Sequence, residues 1–445
     1  MKVAGFNLGC KVNKYELDAI LSDFETNGFE IVDFDDVADV YIVSTCAVTS
    51  LAEKKSRKYI NRTKKQNPNA ITVALGCYIQ REFNSDKDEN SLLSNELLNN
   101  IDIFIGTEEK SKVFEYVMKN LDEKKKEAHL FDVIKYDTYE NQKVKNVYEA
   151  TRAYVKIQDG CNNFCSYCII PYTRGRERSR KIEDAMEEIH LLEEKGFKEI
   201  VLTGIEVAAY GRDLDEDISL IDVIEKVASE TSIERIRLSS LEQNIITDEF
   251  MERLSKIDKF CPHFHLSLQS GSDGVLERMN RKYDTEKYYS KIDLIRKYMP
   301  YAAITTDIIV GFPEETEEEF EESCEFAKKV KFANIHIFPY SIRTGTVAAK
   351  KEQVPEEDKA RREKVLENVK IDSILNFNKL NEERVEEVLF EQEVNVDGVY
   401  YYTGHTKNFI KTYVKSDKDI TNKILKVKLI KSFEDGMNGE IVWED

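Results

Sequence analysis

Glycine and proline are sparse in this sequence, at 18 and 7 of 445 residues, and there is no low-complexity tract. Nor is there an apolar run of about 18 residues, so fibrous, disordered and helical membrane-spanning classes are excluded. Histidine is also scarce, at six, which leaves few imidazoles for a zinc site. Basic residues are outnumbered, 65 Lys and Arg against 84 Asp and Glu, for a formal charge of −19. Such a chain does not coat nucleic acid indiscriminately, and any phosphate contact falls to a local patch.

The length and the 41% apolar content support roughly two to four domains, each with its own core. Residues Lys2 to Cys10 offer a weak imitation of a signal peptide, but the apolar stretch is brief, contains Asn7 and runs into Lys11 and Lys14. A cytoplasmic protein is expected. In that compartment eight cysteines point to metal or redox chemistry before disulfides.

Apolar runs over 2–8, 29–34, 39–45, 71–75 and 101–105 alternate with helical patterns over 13–26, 50–66 and 110–120. That alternation predicts a mostly parallel, doubly wound sheet over residues 1–122. A charged and polar stretch, 123–147, reads as a linker. From 148 to 375 six strand and helix units follow, with strands over 153–158, 199–203, 235–239, 263–268, 303–310 and 334–338. They predict a partial or complete (βα) barrel with its chemistry at the C-terminal strand ends. Residues 376–445 switch to period-two alternation, as in 394–396, 411–415 and 424–429, and predict a small antiparallel β-barrel.

Cys161, Cys165 and Cys168 form C-x3-C-x2-C immediately after the first strand of the second domain. Three thiolates on one loop hold three irons of a [4Fe–4S] cube and leave the fourth open to a ligand. A structural zinc site normally closes with four ligands, and no histidine lies near this loop. Cys10, Cys46 and Cys77 each follow a strand of the first sheet. In a parallel sheet those positions converge on one edge, where a second cluster would be held. Singly, each reads as a small buried hydrophobe, the reading given to Cys261 and Cys324.

These residues resemble the radical S-adenosylmethionine (SAM) methylthiotransferases across essentially the whole chain. The family pairs two three-cysteine sets, places an aromatic such as Tyr167 before the third cysteine, and ends in a TRAM-like RNA-binding module. Residues 8–16, Leu-Gly-Cys-Lys-Val-Asn-Lys-Tyr-Glu, and 45–49, Thr-Cys-Ala-Val-Thr, followed by Lys54, Lys55, Ser56 and Arg57, look like the threonylcarbamoyladenosine branch. Ser44, Ala47 and Glu314 depart from the family's more usual Asn, Thr and Gly. The fold implied is an N-terminal doubly wound parallel sheet, a central (βα)6 partial TIM barrel and a C-terminal TRAM barrel.

The resemblance implies two [4Fe–4S] clusters and SAM. One cluster sits on Cys161, Cys165 and Cys168 and cleaves SAM; the auxiliary one, on Cys10, Cys46 and Cys77, presents sulfur. It also implies methylthiolation at C2 of N6-threonylcarbamoyladenosine at position 37 of tRNAs reading ANN codons. Isopentenyladenosine or a ribosomal aspartate stands as the alternative within the family. Outside it stands another radical SAM enzyme or a non-enzymatic iron–sulfur RNA-binding protein. Expected SAM contacts at the strand ends are Tyr167, Thr203, Gly204, Glu206, Arg237, Ser239, Gln269, Asp307 and Gly311. Implied partners are a tRNA anticodon stem-loop, a low-potential electron donor of flavodoxin or ferredoxin type and an unnamed sulfur donor, with no membrane.

Three basic segments stand out from the acidic background. Residues 48–66 carry seven Lys and Arg against Glu53, 174–181 carry five against Glu177, and 405–432 carry eight lysines against two aspartates. They read as a track for the stem-loop, through Lys54, Lys55, Arg57, Arg174, Arg176, Lys407, Lys411 and Lys415.

Overall fold

The computed structural model describes residues 1–85, 95–145 and 151–443. Six parallel strands form the first sheet: β1 Lys2–Asn7, β2 Glu30–Val32, β3 Val40–Thr45, β4 Ile71–Gly76, β5 Ile103–Ile105 and β6 Glu127–His129, in the order β2-β1-β3-β4-β5-β6. Successive strand residues point to opposite faces, and two cores result. Val3, Val40, Ile42 and Val73 pack with α1 (Lys11–Thr26) on one side, together with α5 (Val113–Glu123). Ala4, Tyr41, Val43 and Ala74 pack on the other, where α2 (Ser50–Gln66), α3 (Cys77–Ser85) and α4 (Asn95–Asn100) lie. β6 comes from the segment read as linker; the boundary expected at 147–148 lies outside the described residues.

The order reverses between β1 and β3, the switch point where doubly wound sheets open a crevice beyond their C-terminal ends. Cys10 follows β1 and Cys46 follows β3, so the crevice is flanked by cysteines.

The second domain begins with β7 (Arg152–Lys156) and a short antiparallel ribbon, β8 (Gln158–Asp159) with β9 (Arg178–Ser179). Helix α6 (Ile170–Arg174) lies within the ribbon's loop and α7 (Ile182–Glu194) follows it. Next come β10 (Glu199–Thr203), α8 (Leu220–Glu230), β11 (Arg235–Leu238), β12 (Ser240–Leu241), α9 (Asp248–Leu254) and β13 (His263–Leu266). The series ends with α10 (Asp273–Arg278), α11 (Thr285–Tyr298), β14 (Ala303–Val310), α12 (Glu317–Val330), β15 (Asn334–Pro339) and α13 (Glu356–Asn381). The strands are parallel, with order β11-β10-β7 in one set and β12-β13-β14-β15 in the other. No pairing joins β7 to β15 among the described residues, so the barrel is partial.

Its outward residues, among them Val155, Ile200, Leu202, Ile236, Phe264, Ile308 and Ile335, form the largest core, beneath the helices. Their inward neighbours are polar: Arg152, Lys156, Glu199, Arg237, His263, His265, Asp307 and His336. A packed TIM barrel fills this space with Val, Ile and Leu; here it stays hydrophilic.

β16 (Val385–Val396), β17 (Val399–Thr406), β18 (Lys411–Val414), β19 (Ile424–Phe433) and β20 (Gly436–Ile441) close the C-terminal barrel. It docks under the partial barrel. Arg235 donates to the carbonyls of His405 and Glu387, at 2.8 and 2.7 Å, and Arg237 to that of Lys407 at 3.0 Å. Phe409 stacks on His263, ring centroids 4.8 Å apart, with Arg237 over its other edge at 4.7 Å. Glu314 has a φ of 64°, the left-handed region that glycine enters most freely, which accounts for the glycine expected there.

Candidate active site

The loop triad starts from one glycine. Gly160 has a φ of 71°, and a Cβ there would lie 1.8 Å from the Arg176 carbonyl oxygen. Only glycine lets the chain turn this tightly, after which the Cys161 amide bonds the Gly175 carbonyl at 3.1 Å. The loop is pinned on its far side, where Ser166 Oγ donates to the Arg278 carbonyl at 2.7 Å and Asn280 Nδ2 to that of Phe164 at 3.0 Å. Arg281, itself paired with Glu242 at 2.6 Å, donates to Cys165 Sγ at 3.2 Å.

The second triad is assembled from three junctions. Cys10 caps the start of α1, Cys77 opens α3, and Cys46 lies just ahead of α2. Helix N-termini favour thiolate charge. Gly76 (φ 104°) passes so close to β3 that a Cβ would lie 2.7 Å from the Thr45 carbonyl, which brings the Cys77 junction beside that of Cys46. Asn13 ties in the third junction. Its Nδ2 donates to Ser44 Oγ at 3.2 Å and to the Thr45 carbonyl at 3.0 Å, while its Oδ1 accepts from Cys10 Sγ at 3.4 Å. Arg174 Nε donates to Cys77 Sγ at 3.3 Å.

Burial pushes the bare thiols of Cys46 and Cys168 up to about 12, and those of Cys10 and Cys161 rise for the same reason. Sulfurs in such surroundings become thiolates when a cation supplies the charge that desolvation opposes. Neither triad gathers its three sulfurs within 4.8 Å of one another; His265, Asp307 and His336 are the one three-donor group among the described residues that does so. The cysteines therefore suit separate irons of a cluster and not a single zinc ion.

The two triads face each other. Thr107 of the first domain donates to the Thr173 carbonyl, on the helix that follows Cys168, at 2.6 Å, and Ile169, next to Cys168, is buried in the core of the first domain. Beneath them runs a buried network: Arg174 bonds Glu16 and Asp159 at 3.0 Å and Asn13 at 2.9 Å, Lys156 bonds Glu16 at 2.8 Å, and Lys110 forms an ion pair with Glu16 at 2.6 Å. Burial pulls the Glu16 and Asp159 carboxyls up, but Arg174 and the neighbouring lysines hold both below the usual carboxylate range.

This corrects the expectation that Arg174 contacts RNA. Its side chain is fully buried, and Arg178 and Arg180 of the same basic segment are consumed by Glu108 and Glu188. Only Arg176, exposed and over the Phe164 ring, and Lys181 remain on the surface of that segment. Buried acids, invisible as neighbours in the sequence, absorb the charge.

At the C-terminal strand ends, Thr203 Oγ1, Glu206 Oε1, Ser239 Oγ and Gln243 Oε1 are buried without partners. Orphaned polar groups clustered beside the cysteine loop fit a polar cofactor. Glu206 is positioned by its amide, which donates to Gln158 Oε1 at 2.7 Å, and Asn163 Nδ2 donates to its carboxylate at 3.4 Å. Burial, then Glu242, raises its carboxyl to about 8, so a cation bound there would restore its charge. Gly204 packs directly on Gln158, and Tyr167 packs on Phe312 with ring centroids 6.2 Å apart. Gln269 bridges backbone positions of β14, accepting from Ile309 and donating to Asp307. Gly311 turns with a φ of 68° against Lys359.

Arg237 is a second correction. Its guanidinium bonds Glu199 at 2.7 Å and the C-terminal barrel's carbonyls, because the inward side chains of β11 reach the floor and not the rim. Asp307 also lies on the inner wall, 3.3 Å from His265 Nε2. The sequence reading missed Arg281, Asn13, Glu16, Lys156 and Asp159. Asn13 and Glu16 lay inside the quoted 8–16 motif, whereas Arg281 had no local signal.

Of the remaining basic residues, Lys54 and Lys55 are exposed on α2, and Arg57 donates to Tyr78 Oη at 3.3 Å. Lys407 is tied to Glu387 at 3.3 Å, Lys411 to Asp435 at 3.0 Å, and Lys415 lies over Tyr401.

The sequence pattern of the radical SAM superfamily matches residues 155–327, and that of the uncharacterized protein family UPF0004 matches residues 2–94. The chain is 39% identical to the threonylcarbamoyladenosine tRNA methylthiotransferase MtaB of Bacillus subtilis, over 97% of this chain and 94% of that one. It is 38% identical to the MtaB of Aquifex aeolicus, over 83% and 88%. It is 36% identical to a tRNA-2-methylthio-N(6)-dimethylallyladenosine synthase of Clostridium botulinum, over 97% and 95%. Among solved structures, the radical SAM methyltransferase TsrM of Kitasatospora setae shares the fold, with a TM-score of 0.57 at 13% identity over 78% of this chain and 77% of that one.

Proposed function

From the premise that the chain belongs to the radical SAM methylthiotransferases, we propose that its substrate is N6-threonylcarbamoyladenosine at position 37 of tRNA and that the methylthio group goes to C2. Membership brings SAM and a [4Fe–4S] cluster, for which Cys161, Cys165 and Cys168 are the ligands, and we assign a second cluster to Cys10, Cys46 and Cys77. The carrying observation is that Arg174, on the helix that follows Cys168, donates to Cys77 Sγ at 3.3 Å and so brings the two triads to one interface.

When bound, these groups supply a 5′-deoxyadenosyl radical and an activated sulfur. The protein's own contribution is placement. Glu206, with Thr203 and Ser239 nearby, receives the ammonium and carboxylate end of SAM at the rim, while Arg281 and Arg174 each donate one N–H to a cysteine sulfur. The Arg174 network locks the first domain onto the second, so that the separation of the two sulfur sites does not drift. Lys54, Lys55 and Arg176 receive the stem-loop backbone, and an acidic flavodoxin or ferredoxin delivers the electron.

The test uses anaerobically reconstituted protein with anticodon stem-loops carrying either threonylcarbamoyladenosine or isopentenyladenosine, with mass spectrometry of the product nucleoside. A gain of one methylthio group on the first RNA alone supports the reading. Modification of the isopentenyl RNA alone, the class in the clostridial relative's name, overturns it.

A further inference from the structure

The first domain does more than hold a cluster: it closes the open side of the partial barrel. On the β7 edge, Glu16 of α1 bonds Lys156 at 2.8 Å. On the β15 edge, the segment after the strand reaches the start of α2, where Arg343 Nη1 donates to the Ala47 carbonyl at 3.1 Å and the Ser50 amide to Ser341 Oγ at 3.0 Å. With Phe409 beneath, the polar inner face becomes the wall of a chamber that stays open to solvent at Lys11 and His336.

Lys11 stands in that chamber, next in sequence to Cys10. Both residues are solvent-accessible, yet Lys11 lies within electrostatic reach of Arg152, Arg237, Asp307, His263 and His336. Those side chains come from five different strands, so the ammonium faces the middle of the space and not one wall. It has no hydrogen-bond or ion-pair partner among the described residues. The other cations are satisfied: Arg237 by Glu199, Arg152 by Glu391 and Arg235 by backbone carbonyls.

Leaving aside Lys156, which is spent on Glu16 and Asp159, four cations, Lys11, Arg152, Arg235 and Arg237, stand against three carboxylates, Glu199, Asp307 and Glu391, an excess that suits an anion. The same excess opposes a divalent metal at His265, Asp307 and His336, although those three donors lie within 4.8 Å.

We propose that Lys11 is a specificity-determining residue: its ammonium binds the carboxylate of the N6-threonylcarbamoyl group inside the chamber. The inference rests on the substrate reading above. A free lysine beside Cys10 holds an anionic side chain while the purine lies toward the sulfurs, whereas an isopentenyl group has nothing to offer an ammonium ion. A charge-assisted hydrogen bond of this kind is worth about tenfold or more in affinity.

The experiment compares wild type, Lys11→Gln and Lys11→Arg on three stem-loops carrying threonylcarbamoyladenosine, its carboxamide and isopentenyladenosine. Equilibrium binding is measured by anisotropy, and KM and kcat by product formation. Wild type should prefer the carboxylate over the carboxamide by about tenfold in Kd and KM, Lys11→Gln should lose that preference with kcat within about twofold, and Lys11→Arg should keep most of it. Iron content equal to wild type in both variants establishes that they fold. A Lys11→Gln protein that retains the full preference for the carboxylate overturns the inference while leaving the substrate reading standing. Wild type acting on the isopentenyl RNA and not on the threonylcarbamoyl RNA overturns both.

Discussion

The two cysteine triads, both proposed as cluster ligands, are assembled by opposite means. Cys161, Cys165 and Cys168 lie on one loop, within eight residues, and their spacing follows from a local turn at Gly160. Cys10, Cys46 and Cys77 are spread over 68 residues and meet only because β1, β3 and β4 are parallel neighbours. Each set has one arginine donating to one sulfur, Arg281 to Cys165 and Arg174 to Cys77. The loop triad therefore takes its spacing from local sequence and relies on the barrel to pin it, whereas the sheet triad depends on the integrity of a whole domain and on a buried ion network shared with the next.

The largest expected effect separates the two sites outright. Cys161→Ala should abolish both deoxyadenosine formation and methylthiolation. Cys77→Ala should abolish methylthiolation alone, with iron falling from about eight to about four atoms per chain. Deoxyadenosine release from Cys161→Ala, or product from Cys77→Ala, breaks the division of labour.

Next comes the interface. Arg174→Met leaves Glu16 and Asp159 short of a buried partner and should cost about 3–5 kcal/mol in denaturant unfolding. Iron should be lost from the sheet triad and retained on the loop triad; equal loss from both contradicts the contrast drawn between them.

A change on the barrel floor serves as the remote counterpart. Burial pulls Glu199 up, but Arg237, Arg152 and Arg235 bring it down to about 2. Its contribution, on the order of 3 kcal/mol, is complete above the ordinary glutamate value and is lost as pH falls toward 2. Glu199→Gln should remove that part of the acid dependence of the urea midpoint and leave iron content unchanged. An unaltered acid slope refutes the assignment.

The smallest effect sharpens the parallel between the arginines. Arg281→Met removes a cationic donor from Cys165, and the potential of the loop cluster should fall by about 60 mV, one tenfold step for a one-electron couple. Protein-film voltammetry reads it, and a rise in potential contradicts the role.

Much of the fold was legible because its signals are local. Helix 50–66 and strands 199–203 and 303–310 were read with the bounds the structure shows, since an amphipathic helix and short β-branched apolar runs are strong local signals. β6 was missed because a three-residue edge strand carries too little pattern. Among site residues, the six cysteines announced themselves by spacing and by position after strands. The arginines did not sort themselves: Arg174 and Arg176 are two residues apart and alike in composition, yet one is buried in an ion network and the other is exposed.

The sequence alone determined most of the elements and pointed to cluster chemistry at the cysteines, because backbone periodicity and ligand type are properties of short segments. Only the tertiary structure decided which charges are spent. Whether a guanidinium meets solvent, a buried carboxylate or a sulfur depends on residues more than a hundred positions away, such as Glu16 for Arg174 and Cys165 for Arg281. The same long-range packing closes the partial barrel with the first domain and leaves Lys11 unpaired inside it, because burial and Coulomb energies are set by neighbours in space and not by neighbours in the chain.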